Sequence, residues 1–219
     1  MAAVLLLFLG ALLVVGAVGM RQQALANIAA SSMPYPPYQG TLLLHDPLHN
    51  NSAGYRWETG NSGAGQCAFE RDSYHVQTTT ASDLTYCRAQ ALAFTNFAAQ
   101  VDMTLASGDR GGLVFRASQH TGYIFTIDRM GYYSLLSFTD SGQLKLSGGT
   151  SPAITASQTY QLAVVAIGNR IDLYVNQKKI SSFQDQTYTG GSIALGAQSI
   201  IQPTDVQFSN IKVWQIEQD

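Results

Sequence analysis

Lysine and glutamate are the scarce residues of this 219-residue chain: lysine stands only at 145, 178, 179 and 212, glutamate only at 58, 70 and 217. Charged residues of all kinds make up 12% of the sequence, and the formal net charge is −2. With so few cations, and no basic run interleaved with aromatics, a nucleic-acid partner is not expected. The shortage of glutamate removes a second class. Glycosidases with two carboxylates on one strand need acids at alternate positions, so that both flank the scissile bond from one sheet face. Here Glu58 has no such neighbour, the partner of Glu70 is Asp72 in a turn, and the partner of Glu217 is the terminal Asp219. An E-x-D-x-E array is absent, and no catalytic residue is assigned.

Histidine and cysteine are equally sparse. Of His45, His49, His75 and His120, only His45 and His49 have a spacing that could hold a metal, and Pro47 breaks the helix such a pair requires. No G-x-S-x-G elbow occurs, and the glycines of GDRGG (108–112) run into a strand, where a turn is the ordinary reading. The two cysteines, Cys67 and Cys87, lie in segments that both read as strands. A bridge between them closes a loop of about 20 residues and contributes roughly 3 kcal/mol in the loop-entropy account. Such a bridge places the globular part in an oxidising compartment, whereas two reduced thiols would suit a cytosolic core.

What the chain has in quantity is short β-branched and aromatic runs separated by turn residues. GGLVFR, YIFTID and GYYSLLSF follow one another between Gly111 and Phe138, and QLKLSG, YQLAVVAIGNRIDLYVN, GSIALGAQ and DVQFSNIKVWQI continue to the C-terminus. This spacing predicts an antiparallel, all-β sandwich or barrel. Asp140-Ser141-Gly142, Gly168-Asn169 and Asn176–Lys179 are expected hairpin turns. Thr41–Asp46 is the expected first strand and is expected to pair with the last. Leu92–Leu105 reads as one long strand, with a helix as the competing reading because of its alanines.

The N-terminus differs in character. Residues 1–20 carry no charge, and Ala2–Gly19 would reach about 27 Å as a helix, the short end of a membrane span. A transmembrane anchor and a signal segment cleaved near Ala17/Gly19 or Ala24/Ala26 both fit, and no basic residue precedes Arg21 to decide between them. Residues 21–40, with Pro34, Pro36 and Pro37, read as an extended linker. Residues 41–219 then form the single β-sandwich domain, expected at the cell membrane outside the cytoplasm, or secreted if the segment is removed.

From Trp57 to Ile216 the pattern resembles the concanavalin A-like lectin/glucanase superfamily, and within it the laminin-G-like and 3-keto-disaccharide-hydrolase-like domains of bacterial surface proteins. The residues that carry this resemblance are Cys67-Ala-Phe, Tyr74-His-Val, Phe94–Met103, GGLVFR (111–116), Tyr123–Asp128, Gly131–Leu136, Ile171–Asn176, Gly191–Gly196 and Phe208–Trp214. The resemblance implies an antiparallel jelly-roll β-sandwich that recognises carbohydrate without catalysis. The alternatives are a hydrolase or lyase of the 3-keto-disaccharide type and an adhesive ectodomain that binds protein. It also implies a candidate structural Ca²⁺ where first and last strands meet, at Asp46 and Asp205, with no other cofactor. Strand alternation gathers Arg116, Asp128, Tyr174 and Asn176, with Tyr132 or Tyr133 close by, onto one face as a candidate glycan platform. The plain alternative is a solvated face with an Arg116–Asp128 ion pair.

Overall fold

The computed structural model describes residues 32–62, 65–155 and 159–217, and the hydrophobic segment at 1–20 lies outside them. Strands, numbered in chain order, form two antiparallel sheets. The larger runs β13 (Lys178–Gln184), β12 (Arg170–Val175), β11 (Thr159–Ile167), β6 (Phe97–Ser107), β15 (Asp205–Gln215), β4 (Ser73–Thr78), β3 (Gly65–Glu70), β2 (Gly60–Ser62), and β1 (Thr41–Asp46) pairs with the far half of β15. The smaller runs β10 (Gly142–Thr150), β9 (Tyr132–Thr139), β8 (Gly122–Asp128), β7 (Arg110–Ala117), β14 (Ser192–Gln198), β5 (Leu84–Arg88). The first and last strands do pair, as expected. Leu92–Leu105 supplies one strand from Phe97 onward, and the helix reading is set aside.

Between the sheets lies the main core. Phe97, Val101 and Met103 of β6, Leu113 and Phe115 of β7, Tyr123 and Phe125 of β8, and Phe208 and Val213 of β15 are all fully buried there. Cys67 and Cys87 form a disulfide with a Cα–Cα distance of 6.4 Å, and it joins β3 of one sheet to β5 of the other. The hairpins form where the turn residues stand. Asn176 and Gln177 have φ of 50° and 62°, the paired left-handed geometry of a two-residue turn that matches strand twist.

Each sheet also buries part of its outer face, by different means. The smaller sheet curls until its own strands meet. Phe138 of β9 packs on Tyr86 of β5 with ring centroids 4.9 Å apart, and Gln198 of β14 donates to Gln143 of β10 at 2.8 Å. A second apolar cluster forms inside the curl: Val114, Ala117, Ile124, Leu136, Phe138 and Ala194, with Leu84 and Tyr86 against it. The larger sheet is covered by chain from outside it. Met33 and Tyr35 lie on Ala98, Ala163, Val165, Tyr174, Trp214 and Ile216. Tyr35 is 1% exposed and donates from its hydroxyl to Gln100 Oε1 at 2.8 Å. The stretch from Met33 onward is therefore a docked strap, with Pro36 and Pro37 roofing a cavity of about 220 Å³ over Val165 and Ile167.

Candidate functional site

Where the edge strands β2 and β5 face each other, the sandwich opens into a groove of about 590 Å³. Its walls are Glu58, Thr59, Gly60 and Asn61 on one side and Leu84, Tyr86 and Arg88 on the other, with Cys67 at the floor and Gln119 and His120 leaning in from the β7–β8 turn. The positions follow from strand alternation: Cys87 points inward to its bridge, so Tyr86 and Arg88 on either side of it must point outward.

The charges in this groove are matched internally. Glu58 Oε1 accepts from Arg88 Nη2 at 2.7 Å, Arg88 Nε at 3.2 Å and Gln90 Nε2 at 3.1 Å, and its Oε2 accepts from the Arg88 amide at 2.9 Å. Burial pushes the Glu58 carboxyl up, but the hydrogen bonds from Arg88 and Gln90 together hold it below the usual glutamate value. An ionised, four-fold bonded carboxylate is a fixed acceptor and a poor proton donor. Tyr86 is half-buried: its hydroxyl donates to the Gln119 carbonyl at 2.8 Å, and burial pushes its phenol up, so it stays neutral. His120 Nδ1 lies 2.9 Å from the Asp140 carboxylate. The groove thus presents one aromatic ring among a guanidinium–carboxylate pair, an amide and an imidazole. Planar polar groups of this kind pair with adjacent hydroxyls, and a ring edge packs against C–H surface.

The five residues expected to share a glycan platform are not brought together. Arg116 and Asp128 belong to the smaller sheet, Tyr174 and the Asn176 turn to the larger. Arg116 takes φ 47°, which turns its side chain away from the outer face of β7. Its guanidinium, 1% exposed, donates to the carbonyls of Tyr188 (3.0 Å), Thr95 (3.0 Å) and Gly168 (2.8 Å), tying the two sheets at one end. The Arg116–Asp128 pair does not form; Asp128 faces Arg110, at 3.6 Å. Tyr133 packs against the main core. Tyr174 lies beneath the strap, with its ring 4.9 Å from that of Tyr35. Asn176 sits in the β12–β13 turn and ties it to β11 by accepting from the Gln161 amide at 3.0 Å.

Asp46 and Asp205 are also apart. Asp46 stands opposite Ile211, six residues along β15 from Asp205, which is about 20 Å at the strand rise. Both carboxylates have other partners. Asp46 accepts from Trp57 Nε1 (3.0 Å) and the Leu48 amide (2.8 Å), and Asp205 meets His75 Nδ1 at 3.0 Å. Among the described residues no group of three or more acids, histidines or cysteines could hold a metal ion.

The sequence matches no protein-family model, and no curated protein matches it either. Solved structures do resemble it. The carbohydrate-binding module CBM66 of Bacillus subtilis superposes with a TM-score of 0.62 at 18% identity, over 73% of this chain and 95% of that one. A B. subtilis protein of unknown function with a galectin-like fold gives 0.63 at 15%, over 81% and 97%. The catalytic domain of an endo-1,3-β-glucanase (laminarinase) from Thermotoga petrophila gives 0.56 at 6%, over 82% and 99%. The fold is therefore that of the galectin-like and concanavalin A-like sandwiches, a scaffold that carries binding modules and hydrolases alike.

Proposed function

We propose that this chain is a non-catalytic, extracytoplasmic binding module that recognises carbohydrate through the groove between β2 and β5. The observation that carries this reading is the groove's lining: an aromatic ring beside planar polar groups whose charges are already neutralised. A neutral saccharide can bind there without leaving a charge buried and unpaired. The similarity to a carbohydrate-binding module supports it, and so does the inter-sheet disulfide, which fits an oxidising compartment. In this reading the hydrophobic N-terminal segment brings the domain to the membrane, or to the secretory route, and the strap leads from it onto the sandwich. Hydrolysis by a carboxylate pair has less support: among the described residues lining the groove, Glu58 is the one carboxylate, and Arg88 holds it ionised.

The test is a thermal-shift screen of the oxidised full-length chain against neutral oligosaccharides. A ligand present at 100 times its Kd adds about 2.7 kcal/mol of stability. The reading expects a saccharide-dependent rise in Tm that Asn61→Ala and Arg88→Gln diminish, although both variants melt cooperatively without ligand. A cooperatively folded chain that no oligosaccharide stabilises would overturn it, and release of shortened sugars would replace it with the hydrolase reading.

A further inference from the structure

A second polar cluster lies on the outer face of the smaller sheet, built from four successive strands, and it is electrostatically the reverse of the groove. Arg110 of β7, Asp128 of β8, Tyr132 of β9 and Lys145 of β10 converge there. The Arg110 guanidinium carbon lies 5.0 Å from the Tyr132 ring centroid and the Lys145 ammonium 5.1 Å from it, and Lys145 also contacts the Tyr132 hydroxyl. Two cations thus bear on one ring.

Their counter-charge is incomplete. Asp128 is the one acid within ion-pair distance of Arg110 or Lys145 among the described residues, and its Oδ1 is already engaged by the amides of Met130 (2.9 Å) and Tyr132 (3.0 Å). Its approach to Arg110 is 3.6 Å, outside hydrogen-bond range. The Arg110 side chain is 20% exposed and its ion pair with Asp128 is a loose one, so its fork of N–H donors stays open to a further oxygen acceptor. Lys145 is exposed, and no described carboxylate lies within ion-pair distance of it. The site is shaped by a missing side chain: a Cβ on Gly148 would stand 2.8 Å from Lys145 Cε and 3.1 Å from the Tyr132 hydroxyl. Glycine there lets the lysine lie back across β10 toward Tyr132, where a bulge between Lys145 and Ser147 already bends the strand. The cluster is distinct from the groove, none of whose lining residues it shares: Arg110 lies two strands across from Leu84 at one end of the groove and four residues along from Arg88.

We infer that Arg110, Lys145 and the Tyr132 hydroxyl form an oxyanion site that takes the carboxylate or sulfate ester of an acidic saccharide. The assignment of that oxyanion to a saccharide rests on the carbohydrate reading; the anion site itself rests on the cluster alone. A planar guanidinium fork pairs two oxygens of one oxyanion, and an ammonium adds a third, less directional contact.

The experiment is a calorimetric titration of the full-length chain with four probes: a neutral oligosaccharide, a uronate oligosaccharide of equal length, its sulfated counterpart, and inorganic sulfate. The acidic oligosaccharides should bind at least tenfold more tightly than the neutral one, and salt should weaken only the acidic probes. Lys145→Gln, an exposed change that leaves the fold intact, should abolish that preference, and Lys145→Arg should restore most of it. Neutral-sugar binding should be unaffected by either. The preferred acidic probe identifies carboxylate or sulfate as the natural group. Acidic probes that bind no better than the neutral one, or that bind equally to Lys145→Gln and Arg110→Gln, overturn the site while leaving the carbohydrate reading standing. Lysine-dependent binding of inorganic sulfate with no binding of any saccharide keeps the anion site and removes the saccharide. No binding of any probe overturns both.

Discussion

The two sheets hide their outer faces in opposite ways. The smaller sheet curls until β9 meets β5, so the cluster around Ile124 and Phe138 is closed by strands of the same sheet. The larger sheet stays open and is covered by the strap from Met33 to Tyr35, a segment outside any strand. Self-closure ties burial to the formation of the sheet, so that face is lost only when the sheet itself opens. A docked terminus is held by a few side chains and can detach while the sandwich persists. The same apolar burial is thus global in one sheet and local in the other.

Four changes would break or sharpen this contrast. The largest effect is expected of Phe138→Ala, which empties the closure of the smaller sheet and should cost about 4 kcal/mol, read as a lower denaturation midpoint of the whole domain. A wild-type midpoint would mean that the curl is not cooperative with the fold. Next, Cys87→Ser removes the tie between β3 and β5 and should cost roughly 3 kcal/mol, measured against the oxidised parent by denaturant titration. Tyr35→Phe should cost about 1–2 kcal/mol, because Gln100 Oε1 loses its donor in a buried place. Hydrogen exchange should show that loss first as faster exchange of the Tyr38 amide, which bonds to the Tyr35 carbonyl. If exchange quickens equally throughout both sheets, the strap is part of the global unit and the contrast fails.

The smallest effect concerns pH at the groove. The folded Glu58 carboxyl lies below its ordinary value of 4.5, so its ion pair with Arg88 contributes in full above about pH 4.5. That contribution is lost as pH falls through the lowered folded value. With both side chains 24% exposed, the loss should not exceed about 1 kcal/mol. Melting Glu58→Gln beside the parent from pH 6 to pH 3 checks this: the gap between them should close only at the acid end.

Much of this was legible in the chain. Alternating β-branched and aromatic residues require a two-faced strand, so a sandwich followed wherever such runs met turn residues. Asn176 and Gln177 could be read as a turn because asparagine tolerates the positive φ that the structure gives it. The bridge of Cys67 to Cys87 was expected because they are the chain's two cysteines and an export-like segment precedes them, and it forms. The candidate site was less legible. Tyr86 and Arg88 could have been found, since they flank a cysteine whose inward direction the disulfide fixes. Glu58 was noticed only for lacking an acidic neighbour, and its partner Arg88 lies thirty residues further along the chain.

Strand alternation failed at Arg116 and Tyr174 for two distinct reasons. At Arg116 a positive φ breaks the two-residue period, so counting onward from Leu113 and Phe115 gives the wrong direction. At Tyr174 the period holds and the side chain does point outward, but Tyr35 covers it. No local pattern distinguishes an outward tyrosine left in water from one beneath a strap.

The sequence alone determined most of the strands and their turns, because each depends on local propensity or on periodic burial. Tertiary structure decided the depth of the curl in the smaller sheet, the docking of the strap, and the gathering of Arg110, Tyr132 and Lys145 apart from Glu58 and Arg88. Those outcomes depend on twist summed over six strands and on register between segments far apart in the chain, and neither quantity is written in any one stretch of residues.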